Sequence, residues 1–173
     1  FELLDGRVNM ITKMPIRLLS LSLLDLRNRS VFWDVGFCTG SVSIEAKMQF
    51  PQLDVVAFEK RESGAELMKV NSCRFGCPGI TTVIGDFAEL PLNQYPRPDA
   101  VFIGGHGGKL VEIVSRIAAL LPSGGVIVFN SVSEASRALF ENALATSNME
   151  LVQVIRLTVD EHNPIDTMKA IKR

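Results

Sequence analysis

The sequence predicts an α/β fold with a doubly wound, mostly parallel sheet of seven strands. Two observations predict the parallel part: short apolar runs alternate with segments of helical periodicity, and the apolar run Val31–Val35 passes directly into a glycine turn. A third observation predicts how the sheet ends. The runs Glu150–Val159 and Asp166–Lys172 are separated only by turn residues, so we expect them to form an antiparallel hairpin at one sheet edge.

The predicted elements follow in a regular order. A leading helix is expected at about residues 15–27, because Pro15 suits a first helical turn and leucines follow at helical spacing; we expect it to cover one edge of the sheet. The next five strands are predicted near residues 31–35, 53–58, 80–84, 99–103 and 125–130. The helices between and after these strands are predicted near residues 41–49, 61–75, 108–121 and 133–146.

Composition and charge favour a single domain over residues 1–173. The 173 residues are 47% hydrophobic and 21% charged, which supplies a full apolar core. The formal net charge of −1 argues against a nucleic acid partner, and no apolar run has the length of a membrane span. The chain begins at Phe1 without methionine, so we expect it to be a piece of a longer polypeptide.

The cysteines argue against a disulfide framework and against a metal site. The chain has three of them, Cys38, Cys73 and Cys77, and an odd number leaves at least one unpaired. Cys73 and Cys77 lack the second pair of ligands that a structural zinc site needs. We therefore expect no metal and a reducing, cytoplasmic location.

The glycine turn after the first strand indicates a site for an adenosine-bearing cofactor. Gly36 and Gly40 permit backbone conformations and close approaches that a side chain would block. Glu59 follows about 20 residues later at the end of the second strand, where a carboxylate can accept hydrogen bonds from both ribose hydroxyls. Gly36 alone could also close a tight strand-to-helix connection, but Glu59 and Asp86 favour the cofactor.

The residues of this turn distinguish between cofactors. A dinucleotide-binding turn needs a second glycine that lets the backbone touch a pyrophosphate, and that position is Cys38 here. A cofactor without phosphate, such as S-adenosylmethionine, remains compatible. Gly85 and Asp86 follow the third strand, where a carboxylate can reach the adenine amino group. This arrangement is typical of a methyltransferase.

The sequence resembles the decarboxylating precorrin-6Y C(5,15)-methyltransferases of cobalamin biosynthesis over nearly its whole length. The segments that carry the resemblance are Ile11–Lys13, Trp33–Gly36, Gly40–Ala46, Asn71 with Arg74–Gly76, Gly85–Asp86 and Pro98–Gly105. The resemblance implies a Rossmann-like class I methyltransferase that uses S-adenosylmethionine to methylate a precorrin at C-15, coupled to loss of carbon dioxide from the acetate at C-12. It also implies a homo-oligomer, often a tetramer, and a fused or partner domain for methylation at C-5.

The candidate site residues lie at the strand ends and beside the leading helix. Those expected to bind the cofactor are Thr12, Asp34, Gly36, Cys38, Gly40, Ser41, Glu59, Lys60, Gly85, Asp86 and Gly104. A tetrapyrrole with many carboxylates needs cationic or donor groups. The residues expected to bind it are Lys13, Arg17, Gly105, His106, Lys109 and Asn130. No catalytic residue is identified, although His106 and Asn130 are candidates.

Three alternatives stay open. The family usually has a small residue and a glycine where this chain has Phe37 and Cys38, so the first alternative is a cofactor-binding module without catalysis. The second is a methyltransferase for another small molecule or for RNA, and the third is a nicotinamide-dependent oxidoreductase. His162 is interpreted as part of a turn, and Trp33 and Phe102 are interpreted as core residues.

Overall fold

The computed structural model describes residues 1–6 and 10–173. In these ranges the chain forms five α-helices and seven β-strands, which follow the predicted alternation. The helices are α1 Met14–Leu24, α2 Ser41–Gln49, α3 Ser63–Arg74, α4 Leu110–Leu120 and α5 Glu134–Ala145. The strands are β1 Val31–Val35, β2 Asp54–Glu59, β3 Ile80–Ile84, β4 Ala100–Ile103, β5 Val126–Ser131, β6 Met149–Leu157 and β7 Ile165–Lys172. Short 3-10 turns lie at Leu4–Gly6, Leu26–Asn28 and Leu92–Gln94.

The strands form one sheet in the order β3-β2-β1-β4-β5-β7-β6. β1 to β5 pair in parallel, whereas β7 lies antiparallel between β5 and β6. The predicted fold class is confirmed, including the antiparallel hairpin at one edge. The strand order reverses between β1 and β4, and open α/β sheets bind ligands above the carboxyl ends of strands at such a point.

The leading helix differs from the expectation in its end and in its position. α1 stops at Leu24 because Asp25 takes a left-handed conformation with a φ of 53°, and Leu26–Asn28 then forms a separate 3-10 turn. The helix packs on a face of the sheet, against β4, β5 and β7, and not along an edge. Its apolar side, where Ile16 and Leu24 are 1% and 0% exposed, needs the broad apolar surface that only a sheet face supplies.

Each face of the sheet has its own apolar core, because side chains alternate along the strands. Trp33 and Phe58 pack with α4 and α5, whereas Phe32 and Phe102 pack with α1 and α2. Trp33 and Phe102 are fully buried, so their interpretation as core residues is confirmed. The two cores fix β1 and β4, and thereby fix the loops that follow them.

The part of the chain that the structure describes holds neither a membrane-spanning helix nor a metal cluster. None of its helices is long and apolar enough to cross a bilayer. No group of three or more His, Cys, Asp or Glu side chains in residues 1–6 and 10–173 could hold a metal ion. Cys38, Cys73 and Cys77 are free thiols.

Candidate active site

A cavity of about 610 Å³ opens at the carboxyl edge of the sheet, above β1 and β4. Its volume falls in the range of about 300–1,000 Å³ that is usual for small-molecule sites. The loops after β1, β2, β3 and β4 form its walls, and the residues before α1 and the turn between β6 and β7 complete it. Strand ends that are far apart in the sequence therefore meet in one site.

The turn between β1 and α2 depends on two glycines with positive φ angles. Gly36 has a φ of 75°, and a Cβ there would lie 2.4 Å from the carbonyl oxygen of Gly105. Gly40 has a φ of 73°, and a Cβ there would lie 2.5 Å from the sulfur of Met68. Gly36 thus lets the loops after β1 and β4 touch, and Gly40 lets α2 begin against α3.

Cys38 takes a left-handed conformation, with a φ of 52°, although it carries a side chain. Its backbone N–H donates to Glu59 Oε2 at 3.0 Å, and its thiol donates to the carbonyl oxygen of Met10 at 2.9 Å. Burial, and after it the negative charge of Glu59, raises the pKa of the Cys38 thiol, so the thiol stays protonated. The backbone strain at Cys38 is therefore opposed by hydrogen bonds from both its backbone and its side chain.

Glu59 ends β2 with a carboxylate that is 4% exposed and lines the cavity. Oε2 accepts from Cys38, while Oε1 accepts from the backbone N–H of Arg61 at 3.1 Å and from its Nη1 at 3.3 Å. A carboxylate has about four acceptor positions, so one remains open for a hydroxyl. A second ribose hydroxyl can take the place of the half-exposed Arg61 guanidinium at Glu59 Oε1.

Asp34 lies at the floor of the cavity and is fully buried. Oδ2 accepts from Ser43 Oγ at 2.5 Å and from the Ser43 N–H at 3.1 Å, whereas Oδ1 has no hydrogen-bond partner among the described residues. Burial raises the pKa of Asp34 to about 7, against the lowering effect of the Ser43 hydrogen bonds. Because no part of Asp34 is exposed, its charge can attract a ligand cation in the cavity through the floor without direct contact with Oδ1.

Asp86 and Lys109 form an ion pair beside the cavity. Lys109 Nζ lies 2.8 Å from Asp86 Oδ2 and 3.4 Å from Glu89 Oε1. The Lys109 hydrogen bond holds the pKa of Asp86 below its usual value. Asp86 lines the cavity, and Lys60 lies on the same side, whereas Lys109 stands behind Asp86 outside the lining. Lys109 therefore supports the end of the cavity at which we expected the adenine, not the substrate end.

His106 follows β4 and Asn130 lies near the end of β5, so both line the cavity from strands on the other side of β1 from β2 and β3. His106 Nδ1 accepts from the Gly108 N–H at 3.2 Å, so the proton of the neutral ring is on Nε2. Burial lowers the pKa of His106, and the imidazole is therefore neutral at pH 7. Asn130 Nδ2 donates to Ser20 Oγ at 3.1 Å, which fixes the amide against α1.

Most of the predicted site residues meet in this one cavity. Those that line it are Thr12, Lys13, Asp34, Gly36, Cys38, Glu59, Lys60, Gly85, Asp86, Gly104, Gly105, His106 and Asn130. Those that stand outside the lining are Arg17, Gly40, Ser41 and Lys109. The guanidinium of Arg17 is buried, and it donates to the carbonyl of Thr12 at 2.7 Å and pairs with Glu45 at 3.3 Å. Arg17 thus holds the backbone of the cavity wall and does not face the cavity.

An apolar wall of the cavity, formed by the residue after β5 and by the C-terminal hairpin, was not predicted from the sequence. Its members are Val132, Leu157, Val159, Pro164 and Ile165. His162 is in the predicted turn, where its N–H donates to the Val159 carbonyl at 3.2 Å, but it also lines the cavity. β6 runs in the same direction as β5, so the turn after it returns to the carboxyl edge of the sheet. That topology was the signal that could have placed the turn in the site.

These features together define the class of protein. A sheet of this order, with acidic side chains at the ends of β1 and β2 and after β3 around one cavity, is the fold of class I S-adenosylmethionine-dependent methyltransferases. A family model described as the precorrin methyltransferase domain matches residues 5–173, and the chain belongs to that family. Membership confirms the family resemblance and removes the oxidoreductase alternative.

Known relatives agree with this assignment. The crystal structure of precorrin-6Y C5,15-methyltransferase from Geobacter metallireducens is 32% identical, with a TM-score of 0.86 over 96% of this chain and 92% of that chain. The cobalt-precorrin-6B C(15)-methyltransferase (decarboxylating) of Salmonella typhimurium is 40% identical over 70% of this chain and 62% of its own length. The precorrin-6Y C(5,15)-methyltransferase [decarboxylating] of a Sinorhizobium species is 34% identical over 97% of this chain, but the chain spans only 39% of that relative.

S-adenosylmethionine is the methyl donor of this class, and the cavity fits it. The cofactor carries a sulfonium and an ammonium, and the orphaned Oδ1 of the buried Asp34 lies in the cavity floor without a counter-charge. Glu59 keeps one acceptor position for a ribose hydroxyl. Gly36 has no side chain, so the cofactor can approach the backbone of the turn. Asp34, Glu59 and Asp86 are therefore the residues that would hold it.

Proposed function

We propose that this chain transfers a methyl group from S-adenosylmethionine to C-15 of a precorrin, with loss of carbon dioxide from the acetate at C-12. The observation that carries the proposal is the division of one cavity into two chemically different ends. Asp34, Glu59 and Asp86 make one end acidic, which suits the cationic cofactor. The rest of the lining combines an apolar wall with neutral donors, which suits a macrocycle. Lys13 and Lys60 add cations for its carboxylates.

The apolar wall supports a flat, largely apolar substrate. Val132 is 69% exposed and lines the cavity, so it offers apolar surface to a ligand. Leu157, Val159 and Ile165 are half-buried beside it. A tetrapyrrole face covers such side chains and releases the water over them, which stabilises the complex by about 25 cal/mol per Å² of apolar surface.

Carboxylates of the substrate have suitable partners at the rim. Lys13 and Lys60 line the cavity and take part in no ion pair with the described residues. In the loop after β4 the N–H groups of His106 and Gly107 have no acceptor among the described residues and can donate to a ligand, whereas those of Gly104 and Gly105 donate to the Val35 carbonyl. Because the rim groups are spread around the mouth, they can orient the ring and not only attract it.

The reaction needs little acid–base catalysis from the residues of the chain. The cofactor supplies an electrophilic methyl group, and an electron-rich macrocycle carbon supplies the nucleophile. The chain has to align the two and to exclude water. His106 can donate from Nε2 to the acetate without forming an ion pair, because its ring is neutral. A single neutral donor orients the acetate while stabilising its negative charge less than a cation would, which favours departure of carbon dioxide.

The test is calorimetric titration with S-adenosylhomocysteine, with NAD as the comparison ligand. The proposal expects saturable binding of S-adenosylhomocysteine alone. Glu59→Ala should weaken it about tenfold or more, because two ribose hydroxyls lose their acceptor. Glu62→Ala removes an exposed acid nearby and should leave the affinity unchanged.

Methyl transfer and release of carbon dioxide from a precorrin would then be measured with the chain that binds. If wild type prefers NAD or binds neither ligand, the proposed function is wrong. Absence of binding would put a module without catalysis in its place.

We also propose a homo-oligomer and a separate domain for methylation at C-5, with residues 1–173 as one domain of a cytoplasmic protein. The apolar side chains Met14 and Leu18 on α1 and Val152 on the edge strand β6 are exposed, which supports burial between subunits. The free thiols agree with a reducing compartment. Light scattering of the purified chain tests the oligomer directly.

A further inference from the structure

Asn71 belongs to a motif that the sequence analysis singled out but that the proposed function leaves without a role. It lies on α3, outside the cavity lining, and is completely buried. Its amide nitrogen donates to the carbonyls of Glu2 at 3.1 Å and Thr39 at 2.9 Å, and its amide oxygen accepts from the Glu2 N–H at 2.6 Å. One carboxamide thus binds both backbone groups of Glu2, as a neighbouring strand would.

The residues that follow this carboxamide on α3 also contact the start of the chain. The ring centroids of Phe1 and Phe75 lie 4.4 Å apart. Arg74 pairs with the Glu2 carboxylate at 3.1 Å, and the Arg17 guanidinium of α1 lies 5.3 Å from the centre of the Phe1 ring. Ring stacking, an ion pair and backbone hydrogen bonds therefore hold the first residues of the chain against α3.

Residues 10–13, which precede α1, lie at the cavity. Met10–Lys13 lines it on the side of the glycine turn. The Met10 carbonyl accepts from the Cys38 thiol at 2.9 Å, and the Thr12 carbonyl accepts from Arg17 Nη1 at 2.7 Å. We call residues 1–6 and 10–13 the N-terminal strap. It is anchored on α3 at its start and on the glycine turn and α1 at its end.

Asn71 also holds the cavity floor through Thr39. Thr39 lies between the left-handed residues Cys38 and Gly40, and its side chain is buried in the cavity wall. The Asn71 carboxamide binds both the Thr39 carbonyl and the N-terminal strap. The positions of the glycine turn and of the strap therefore depend on the same side chain.

We propose that Asn71 is a positioning residue that latches the N-terminal strap over the cofactor end of the cavity and sets the rate at which the cofactor leaves. The inference rests on the proposed function, because it takes S-adenosylmethionine or its product as the molecule beneath the strap. Asn71 touches neither cofactor nor substrate; it acts through Thr39 and Glu2.

The test compares Asn71→Leu and Glu2→Pro with wild type. Asn71→Leu keeps the branching and the number of side-chain heavy atoms but removes all three hydrogen bonds. Glu2→Pro removes the N–H that donates to the Asn71 oxygen, together with the Glu2 carboxylate. Glu2→Ala is the matched control, since it loses the Arg74 ion pair but keeps the backbone N–H. The measurements are the dissociation rate of S-adenosylhomocysteine by stopped flow and hydrogen exchange of the backbone amides of residues 10–13.

The latch predicts that Asn71→Leu raises the dissociation rate about tenfold, a factor equivalent to one or two net hydrogen bonds. Glu2→Pro should raise it less, and the double variant should fall short of the product of the two effects, because both act on one latch. Exchange at residues 10–13 should rise in parallel. Glu2→Pro lies outside the helices, so it tests the latch even if Asn71→Leu folds poorly.

Three results would overturn the inference. The first is unchanged exchange at residues 10–13 in both variants. The second is faster exchange with an unchanged dissociation rate, as expected if Asn71 only stabilises the fold. The third is a double variant whose effect is the full product of the single ones. If wild type fails to bind S-adenosylhomocysteine, the proposed function is refuted, and the exchange measurement still decides whether the latch exists.

Discussion

Replacing Asp34 with Asn should make the protein more stable at pH 8 while weakening its affinity for the cofactor. Asp34 is fully buried, and burial raises its pKa from 3.8 to about 7. Each unit of pKa difference corresponds to about 1.4 kcal/mol, so ionised Asp34 costs about 4 kcal/mol of folding free energy above pH 7. An amide in its place carries no charge, and its oxygen can still accept from Ser43.

The direction in which stability changes with pH follows from the proton that Asp34 binds. Between pH 4 and pH 7 the folded chain keeps a proton on Asp34 that the unfolded chain has lost, so the contribution of Asp34 to stability falls as the pH rises through this window. The loss is complete above the folded pKa. Near pH 4 Asp34→Asn should be less stable than wild type by up to about 2 kcal/mol, because the new amide N–H is left without an acceptor. At pH 8 it should exceed wild type by about 2–4 kcal/mol, because the burial cost of ionised Asp34 is gone.

The assay is urea unfolding of both proteins at intervals from pH 4 to pH 8 without ligand. Taking the difference between them cancels the other titrating groups. Titration with S-adenosylmethionine over the same range gives the second readout. The affinity of wild type should rise up to about pH 7 and then level off, because the ligand cation replaces the proton on Asp34. The affinity of Asp34→Asn should be weaker and should not change with pH.

Ser43→Ala is the control, because it keeps the Asp34 carboxylate and changes only its hydrogen bonding. Both Ser43 hydrogen bonds lower the pKa of Asp34, and this variant loses the one from the hydroxyl, so the pH dependence of cofactor affinity should move upward. The backbone N–H of Ser43 remains in place. Parallel unfolding free energies of wild type and Asp34→Asn from pH 4 to pH 8 would refute the reasoning, because they would mean that ionised Asp34 carries no burial cost.

The remaining predictions concern the turn and the adenine end. Gly36→Ala should abolish binding of S-adenosylhomocysteine by calorimetry, because its Cβ would lie 2.4 Å from Gly105 O; Gly76→Ala, with a φ of 57° and open space, should cost only about 1–2 kcal/mol in urea unfolding and keep the affinity. Cys38→Gly should speed the dissociation of S-adenosylhomocysteine, since it removes the thiol hydrogen bond to the Met10 carbonyl, and an unchanged rate would contradict this. Lys109→Met should return the pKa of Asp86 toward its usual value in an NMR titration, and an unmoved pKa would show that the ion pair does not hold the carboxylate.

The predictable part of the site is the part that the topology of the sheet brings together. Asp34, Glu59 and Asp86 stand at or directly after the ends of three strands, and parallel strands place such ends at one edge. Their meeting in one cavity therefore follows from the alternation of strands and helices. The helix boundaries were less accurate, because the end of α1 depends on the left-handed Asp25 and not on apolar spacing.

The long cationic side chains could not be placed from sequence alone. Arg17 and Lys109 were expected to face the substrate, yet Arg17 is buried against Glu45, and Lys109 pairs with Asp86 outside the cavity lining. A flexible side chain can reach acids on several elements, so its partner depends on three-dimensional distances that spacing does not contain. The apolar wall of the C-terminal hairpin was missed for a different reason, namely that the direction of β6 had to be known first.

The three acids of the cofactor end differ in how their charge is compensated, and this difference indicates where a cationic ligand binds. Asp86 has Lys109, and Glu59 has Arg61 and two backbone N–H groups. Asp34 has only the neutral donors of Ser43, and among the acids of the described cavity lining it alone lacks an ion pair with Lys or Arg. A bound cation therefore stabilises Asp34 more than it stabilises the other two, and in the free chain a proton takes its place near neutral pH. Cofactor binding should accordingly release about one proton near pH 6, which calorimetry in buffers of different ionisation enthalpy measures directly.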